Sequence, residues 1–264
     1  MTPTEATPVP LHVEVYGSGQ ALLFAHGFGG SGRNFRAQAR AFERGHQVLL
    51  FDARGHARSG APEDAAAYQP ECFVADVGRV LERAASERAV LVGLSMGAGV
   101  VLRYALAHPE RVRGLVLAAP PRGGSEQAEW ARRFADAIED RGMEAAGAEF
   151  VWGARSRFDA KAAGFIRQGF LEHPAHGLVH TLRELLAVQP PIEELAPGLG
   201  RMRLPVLVVA GADDAPARAA ARVLTDYVRN LRLELVEGAG HVVNLAAPTA
   251  FNAALLEFVN ELPL

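Results

Sequence analysis

Short, continuous runs of apolar residues recur along the chain, separated by longer stretches in which apolar residues have helical spacing. Such runs are typical of strands that are buried on both faces of a parallel sheet. The runs that predict such strands are ALLFA at 21–25, VLLF at 48–51, AVLVG at 89–93, GLVLAA at 114–119 and PVLVVAG at 205–211. A last strand is expected at LELV, residues 233–236.

The first ordered segment has a different pattern, because apolar and polar residues alternate from Leu11 to Tyr16 before a glycine-rich turn at 17–19. Alternation is typical of a strand with one face towards solvent. We therefore expect an edge strand here.

Helical spacing predicts a helix after most of the buried strands. Regular alternation of strand and helix indicates an α/β fold, with a mostly parallel central sheet flanked by helices on both faces. The predicted helices cover residues 35–44, 73–85, 97–107, 216–228 and 245–262.

This alternation stops between residues 122 and 197, where helical patterns rich in Trp, Phe, Ala and Arg are separated by Gly and Pro. We interpret the segment as a helical insertion between two strands of the sheet. The sequence therefore predicts a core domain made of residues 1–121 and 198–264, and a helical lid made of residues 122–197.

Composition limits the class of partner. The 264 residues are 49% hydrophobic and 22% charged, with 27 basic against 30 acidic side chains and no block of like charge. This balance offers no surface for a nucleic-acid backbone or an anionic membrane. No apolar run approaches the ~20 residues that cross a bilayer. We expect a small molecule as the partner.

Cysteine content and the first residues bear on the compartment. The single cysteine, Cys72, has no second cysteine with which to form an internal disulfide or a multi-cysteine metal site. The first ten residues, MTPTEATPVP, lack the basic start and apolar centre of a signal peptide. The expected location is therefore the cytoplasm.

The strongest chemical signal is Gly-Leu-Ser-Met-Gly at 93–97, between a predicted strand and a predicted helix. In this context the motif is typical of a nucleophile elbow, which presents the hydroxyl of Ser95 on a sharp turn. The backbone N–H of Met96, at the start of the helix, is then one candidate donor to a developing oxyanion.

A serine hydroxyl needs a base, and the base needs an orienting carboxylate. Asp213 and Asp214 follow the strand that ends at residue 211, and His241 follows the last strand. We favour Asp214 as the acid, with Asp213 as the alternative. Either aspartate could instead cap the next helix.

The second oxyanion donor is expected from His-Gly-Phe-Gly-Gly at 26–30, where the N–H of Phe28 can face Ser95 and His26 can brace the loop. The same stretch has the Gly27-x-Gly29-x-x-Gly32 spacing of a dinucleotide site, with Asp52 as the expected acid. That alternative leaves the serine, the acid and the base unexplained.

Three other histidines share a helical spacing at 173, 176 and 180, which raises the alternative of a metal site. Pro174 lies at the start of that face and no acid completes it convincingly. The expected reaction needs neither a metal nor an organic cofactor.

Five motifs are distributed along the chain: HGFGG at 26, FDARGHARS at 51–59, GLSMG at 93, GADD at 211 and GAGH at 238. Together they resemble those of the lid-bearing α/β-hydrolase superfamily, most closely small bacterial esterases and 3-oxoadipate enol-lactonases. Ala57 and Ala98 stand where the family usually has glycine. The resemblance implies a serine hydrolase that cleaves an ester or lactone of a small molecule through an acyl-enzyme on Ser95.

Two alternatives remain on the same fold. The first is a hydrolase that cleaves carbon-carbon bonds in ring-fission diketones. The stretch at 32–35 is similar to that of such enzymes, although they typically have tryptophan where this chain has Val242. A receptor that keeps the fold without catalysis is the second. Haloalkane dehalogenases have an aspartate in place of Ser95.

The insertion is expected to cover Ser95 and to contribute aromatic side chains to the cleft. The interpretation in which these rings form only the core of the insertion stays open. The candidates for substrate contact are Trp130, Phe134 and Trp152, with Phe158, Phe165 and Phe170 as further cleft residues.

Overall fold

The structure is a computed structural model that describes residues 8–84, 87–153 and 160–263. Its centre is a sheet in the order β1-β3-β2-β4-β5-β6-β7, in which every neighbouring pair is parallel except β1 and β3. The predicted α/β sheet and its edge strand are confirmed. The strands are β1 (Val13–Tyr16), β2 (Gln20–Ala25), β3 (His46–Phe51), β4 (Ala89–Leu94), β5 (Val112–Ala118), β6 (Val206–Gly211) and β7 (Leu231–Val236).

The apolar runs are continuous because the sheet is covered on both faces. Along β4, Leu91 lies in one buried cluster and its neighbours Val90 and Val92 lie in the other. Successive side chains of a strand point to opposite faces, so each face contributes its own core. All residues of β4 and β6 are buried.

The helices flank this sheet close to the predicted positions. One prediction is wrong in detail, because the helix expected at 245–262 is interrupted at Ala247, which has φ −134° and ψ 63°. The residue before a proline is driven out of the helical region. The helices outside the 122–197 segment are α1 (Arg36–Phe42), α2 (Pro70–Leu81), α3 (Met96–Ala107), α8 (Ala215–Tyr227), α9 (Val243–Ala246) and α10 (Pro248–Glu261).

The segment between β5 and β6 is mostly helical in its described parts. Phe134 and Phe170 of this segment belong to the same buried cluster as Leu91 of the sheet, so the segment packs onto one face of the core. A break at Gly142, with φ 80°, bends the longest helix. The helices are α4 (Ser125–Phe150), α5 (Ala160–Leu171), α6 (Ala175–His180), a π-helical turn (Thr181–Leu186) and α7 (Ala196–Leu199).

Within the described residues, no helix combines the length and the apolar character that crossing a membrane requires.

Candidate active site

Ser95 lies in the sharp turn between β4 and α3, and its backbone has φ 52° and ψ −114°. A positive φ is strained for a residue with a side chain. The turn is possible because two glycines allow close contact: a Cβ on Gly93 would lie 2.5 Å from the carbonyl oxygen of Gly97, and one on Gly97 would lie 2.2 Å from that of Ala25. The strand, the helix and the neighbouring strand β2 meet at this point.

The structure brings Ser95, His241 and Asp214 into one hydrogen-bonded chain. Nε2 of His241 is 2.9 Å from Oγ of Ser95, and Nδ1 of His241 is 2.6 Å from Oδ2 of Asp214. The His241 side chain is 51% exposed and that of Asp214 only 6%, so a small molecule can reach the imidazole while the acid is shielded.

The environment of Asp214 favours its charged form. Burial by itself raises the pKa of this carboxyl, but the hydrogen bond and charge of His241 and the N–H of Ala217 outweigh burial and lower it. The acid is therefore ionised and able to stabilise an imidazolium on His241.

The two adjacent aspartates have different environments. Asp213 is exposed and its backbone N–H donates to the carbonyl of Ala239. Asp214 also caps α8, since Oδ1 accepts from the N–H of Ala217 at 3.3 Å. From the sequence, one aspartate is expected to bind His241 and the other can cap the next helix. In the structure Asp214 binds His241 and also caps α8.

The glycine loop at 26–30 passes beside the serine. A Cβ on Gly27 would lie 3.4 Å from Cβ of Ser95. In the described parts of the chain, the N–H of Phe28 donates to no other group. Met96 is the first residue of α3, and the first N–H groups of a helix have no partner within it. Both predicted donors thus lie in segments that adjoin Ser95.

His26 braces this loop as predicted from the sequence. Its Nδ1 is 2.8 Å from the carbonyl oxygen of Gly27, and its Nε2 accepts from the N–H of Ala53 at 2.9 Å. This pairing requires the neutral tautomer with the proton on Nδ1. Burial lowers the pKa of His26, which agrees with a neutral ring.

Asp52 is engaged inside the protein. Its Oδ1 accepts from the N–H of Gly32 at 2.8 Å, and its Oδ2 accepts from Nε of Arg58 at 2.8 Å. The dinucleotide alternative needs this carboxylate for a ribose. In the structure the Asp52 carboxylate holds the glycine loop instead, through the N–H of Gly32.

The three histidines of the insertion all contact the backbone of residues 57–63. Nδ1 of His173 accepts from the N–H of Ala57 at 2.7 Å, Nε2 of His176 is 3.0 Å from the carbonyl oxygen of Ala61, and Nε2 of His180 is 3.1 Å from that of Glu63. The spacing that suggested a metal site therefore serves to attach the insertion to the core. Among the described residues, no cluster of His, Cys, Asp or Glu could hold a metal ion.

His173 extends a row of buried histidines, in tilted and edge-on contact, that the sequence did not predict. The ring centroids of His26 and His56 are 5.2 Å apart, and those of His56 and His173 are also 5.2 Å apart. Burial lowers the pKa of His56 well below its usual value and that of His173 to about 4. The helical spacing with His176 and His180 drew attention to His173, but no pattern in the sequence places His173 beside His56.

The aromatic residues of the insertion form a continuous cluster. Phe134 is fully buried and stacks on Phe150 at 4.6 Å and on Phe170 at 5.9 Å between ring centroids. Trp130, which is 39% exposed, packs edge-on against Phe134, and Trp152 packs against Phe170. Phe158 lies outside the described residues.

This cluster reaches the glycine loop. The ring of Phe28 is 5.5 Å from that of Phe134 and 6.5 Å from that of Phe170. The insertion therefore touches the segment that supplies one predicted oxyanion donor. Phe134 and Phe170 are enclosed by other rings, whereas Trp130 has one accessible side.

Residues 20–248 match the family model for the alpha/beta hydrolase fold. RutD from Variovorax paradoxus (strain S110), a protein named for carbamate hydrolysis, is 31% identical and aligns over 95% of this chain and 96% of its own. The 3-oxoadipate enol-lactonase 2 of Acinetobacter baylyi is 28% identical, over 95% of this chain and 93% of its own.

A solved structure is similar over the same length. A hydrolase from Pseudomonas aeruginosa PA01 is 27% identical and covers 95% of this chain and 94% of its own, with a TM-score of 0.84. The chain belongs to the α/β-hydrolase family and is a hydrolase of that superfamily. The resemblance inferred from the five motifs is confirmed.

Proposed function

We propose that the protein cleaves a carboxylic ester or lactone of a small molecule through an acyl-enzyme on Ser95. The observation that carries the proposal is the hydrogen-bonded chain from Ser95 through His241 to Asp214. In this chain the base lies within proton-transfer distance of the hydroxyl and the acid fixes the imidazole tautomer.

In the acylation half-reaction, Oγ of Ser95 attacks the substrate carbonyl carbon while Nε2 of His241 takes its proton. Asp214, bonded to Nδ1, stabilises the imidazolium that forms. The N–H groups of Phe28 and Met96 bind the negatively charged oxygen of the tetrahedral intermediate. His241 then protonates the leaving alkoxide, and the alcohol departs from the acyl-enzyme; for a lactone the alcohol stays tethered to the acyl group.

In the deacylation half-reaction, water takes the place of the alcohol. His241 removes a proton from water, the resulting hydroxide attacks the acyl carbon, and the same two N–H groups bind the oxyanion. Collapse of the intermediate returns the proton from His241 to Oγ of Ser95 and releases the acid. The cycle ends with the enzyme unchanged and consumes one water.

Residues 122–197 act as a lid over this site and select the substrate. Contacts of Phe134 and Phe170 with the ring of Phe28 support this role, because they extend the insertion to the loop beside Ser95. Trp130 and Trp152 remain the candidates for substrate contact in this lid, with Trp130 the more accessible ring, whereas Phe134 is fully buried and supports Trp130 and Phe28 from behind.

The test is a substrate panel combined with active-site labelling. The protein should hydrolyse p-nitrophenyl esters or lactones, and a fluorophosphonate probe should label it once per chain. Ser95→Ala should lose labelling and about 10⁴ to 10⁶ in turnover, whereas Ser125→Ala, on the exposed start of α4, should keep both. Hydrolysis at the normal rate by folded Ser95→Ala protein would overturn the proposal, and so would a wild-type protein that is neither active nor labelled.

Carbamates are a second candidate class, favoured by the 31% identity with RutD. They would pass through a carbamoyl-enzyme on the same serine. The panel should therefore contain matched phenyl esters and phenyl carbamates, and vinylogous diketones for carbon-carbon cleavage. The ratio of kcat/KM values decides among the classes.

A further inference from the structure

The glycine loop is fixed by hydrogen bonds near both ends. Near its start, the carbonyl of Gly27 accepts from His26 at 2.8 Å and from the N–H of Gly30 at 3.0 Å. Beyond its end, the N–H of Gly32 donates to Asp52 at 2.8 Å. Phe28, the predicted oxyanion donor, and Gly29 are the central residues of the turn that the bond between Gly30 and Gly27 closes, and Gly29 makes none of these bonds itself. The turn sets the local shape of the loop, and a contact on Gly29 restrains it further on the side of the insertion.

Phe170 of α5 lies directly against Gly29. A Cβ built on Gly29 would be 2.7 Å from Cδ2 and 3.0 Å from Cε2 of the Phe170 ring, so only a residue without a side chain fits there. Gly29 has φ 66°, a conformation that glycine adopts without strain. The ring therefore limits how far the loop can move towards the insertion.

Phe170 itself has little freedom to move. It is fully buried, stacked at 8° on Phe134, and in edge contact with Trp152 at 5.5 Å and Phe28 at 6.5 Å between ring centroids. Close-packed side chains of this kind resist displacement, because any shift loses contacts on several sides. The ring is thus a rigid support supplied by the insertion.

His173, one turn further on, adds a second contact between the same segment and the loop. The carbonyl of Gly29 faces the His173 ring closely enough to favour its protonated form, although Nε2 makes no hydrogen bond of normal geometry within the described residues. Nδ1 of His173 accepts from Ala57 of the core. Phe170 and His173 together place the end of α5 on the loop.

We infer that Phe170 is a positioning residue for the reaction: by packing on Gly29 it holds the N–H of Phe28 where the oxyanion forms. The inference depends on the proposed function, because it concerns the oxyanion step. The insertion then has a role beyond covering the substrate. Movement of the lid away from the core would remove this support and weaken the oxyanion site.

The first test separates oxyanion binding from substrate binding. Phe170→Ala should lower kcat by about 10-fold to 100-fold, since misplacing a catalytic group by about 1 Å costs up to about 10²-fold. KM should stay within about threefold. Rates are expressed per active site, titrated with a fluorophosphonate, so that unfolded protein does not contribute. Leu171→Ala, the neighbouring residue on the exposed side of α5, should stay within twofold of wild type.

A reversible inhibitor gives the second readout. A phenylboronic acid forms a tetrahedral anion on Ser95 and should bind Phe170→Ala more weakly by the same factor as kcat falls. A neutral competitive inhibitor that forms no bond to Ser95 should bind equally well. Phe170→Leu, which keeps an apolar side chain, should recover part of both losses.

The third test is a double-mutant cycle between the two contacting residues. Gly29→Ala should cost much more kcat in the wild-type background than in the Phe170→Ala background, because the added methyl group meets the ring only in the former. Backbone strain at φ 66° is common to both backgrounds and cancels. Multiplicative losses, or an unchanged kcat in folded Phe170→Ala protein, would overturn the inference while leaving the proposed function in place. Absence of wild-type activity and labelling would instead overturn both.

Discussion

His241 and Asp214 face each other across two loops, with Nδ1 of the imidazole 2.6 Å from Oδ2 of the carboxylate. The other oxygen of the same carboxylate accepts from the N–H of Ala217 and caps α8. A side chain whose two oxygens are both engaged is held in one orientation. The first turn of α8 therefore fixes the acid that orients the histidine.

Asp214→Asn should lower kcat/KM by about 10⁴, because an amide no longer stabilises the imidazolium and favours the wrong tautomer. Asp213→Asn is the matched control and should stay within a few-fold of wild type, since Asp213 is exposed and, among the described residues, His241 makes its hydrogen bond and ion pair with Asp214 instead. Steady-state hydrolysis of a p-nitrophenyl ester measures both. A larger loss for Asp213→Asn would identify the other aspartate as the acid.

Gly97→Ala should destabilise the fold by at least about 2 kcal/mol, because the added methyl group would lie 2.2 Å from the backbone carbonyl oxygen of Ala25. Gly164→Ala is the control, since a methyl group there has no neighbour within 4 Å and alanine is the better helix former. The free energy of unfolding in urea tests both. Equal stability of the two variants would contradict the close contact of α3 with β2.

Arg54 and Asp76 form a buried ion pair with two hydrogen bonds, at 2.7 Å and 2.8 Å, between the loop after β3 and helix α2. Replacing one partner should cost about 3 to 5 kcal/mol, because the other charge stays buried without its counterion. Asp76→Leu should show this loss in chemical unfolding, whereas the double variant Arg54→Met with Asp76→Leu should lose less. Arg122→Gln removes an exposed pair with Glu193 and should change stability by at most about 1 kcal/mol.

His173 should make stability depend on pH. Burial lowers its pKa to about 4, while an unfolded histidine titrates near 6.5. The unfolded chain therefore binds the proton first as pH falls, and stability present above about pH 6.5 is lost progressively towards pH 4. Between pH 7 and pH 5 the contribution of this histidine alone is about 2 kcal/mol.

The variant for this prediction is His173→Asn, whose amide oxygen can still accept from Ala57. Its free energy of unfolding should fall less steeply between pH 7 and pH 5 than that of wild type. His108→Gln, at the exposed end of α3, should leave the slope unchanged. If His173→Asn keeps the wild-type slope, protonation of His173 does not differ between the folded and unfolded states, and the prediction is contradicted.

The local pattern of apolar and polar residues was sufficient to predict most of the strands and helices. Continuous apolar runs located the buried strands because a strand covered on both faces has no polar position. Alternation located β1 at the edge of the sheet, although the exposed side chain there is the apolar Val15, while Glu14 is bonded to Tyr16 and Arg58. The pattern failed at Ala247, where Pro248 interrupts the helical spacing without changing its apolar character. The division of the 122–197 segment from the core, as a separate lid, stays a prediction.

The sequence by itself determined the chemical groups and their order: a serine in a glycine-flanked turn, an acid after β6 and a histidine after β7. Spacing along the chain carries this information because parallel strands end at the same edge of a sheet. The sequence favoured Asp214 over Asp213, and the tertiary structure places Asp214 against His241, since the two aspartates differ in direction and burial rather than in type. Only the tertiary structure assigned His173, His176 and His180 to contacts with the core and placed Phe170 against Gly29, because contacts between distant segments depend on packing that no local pattern records.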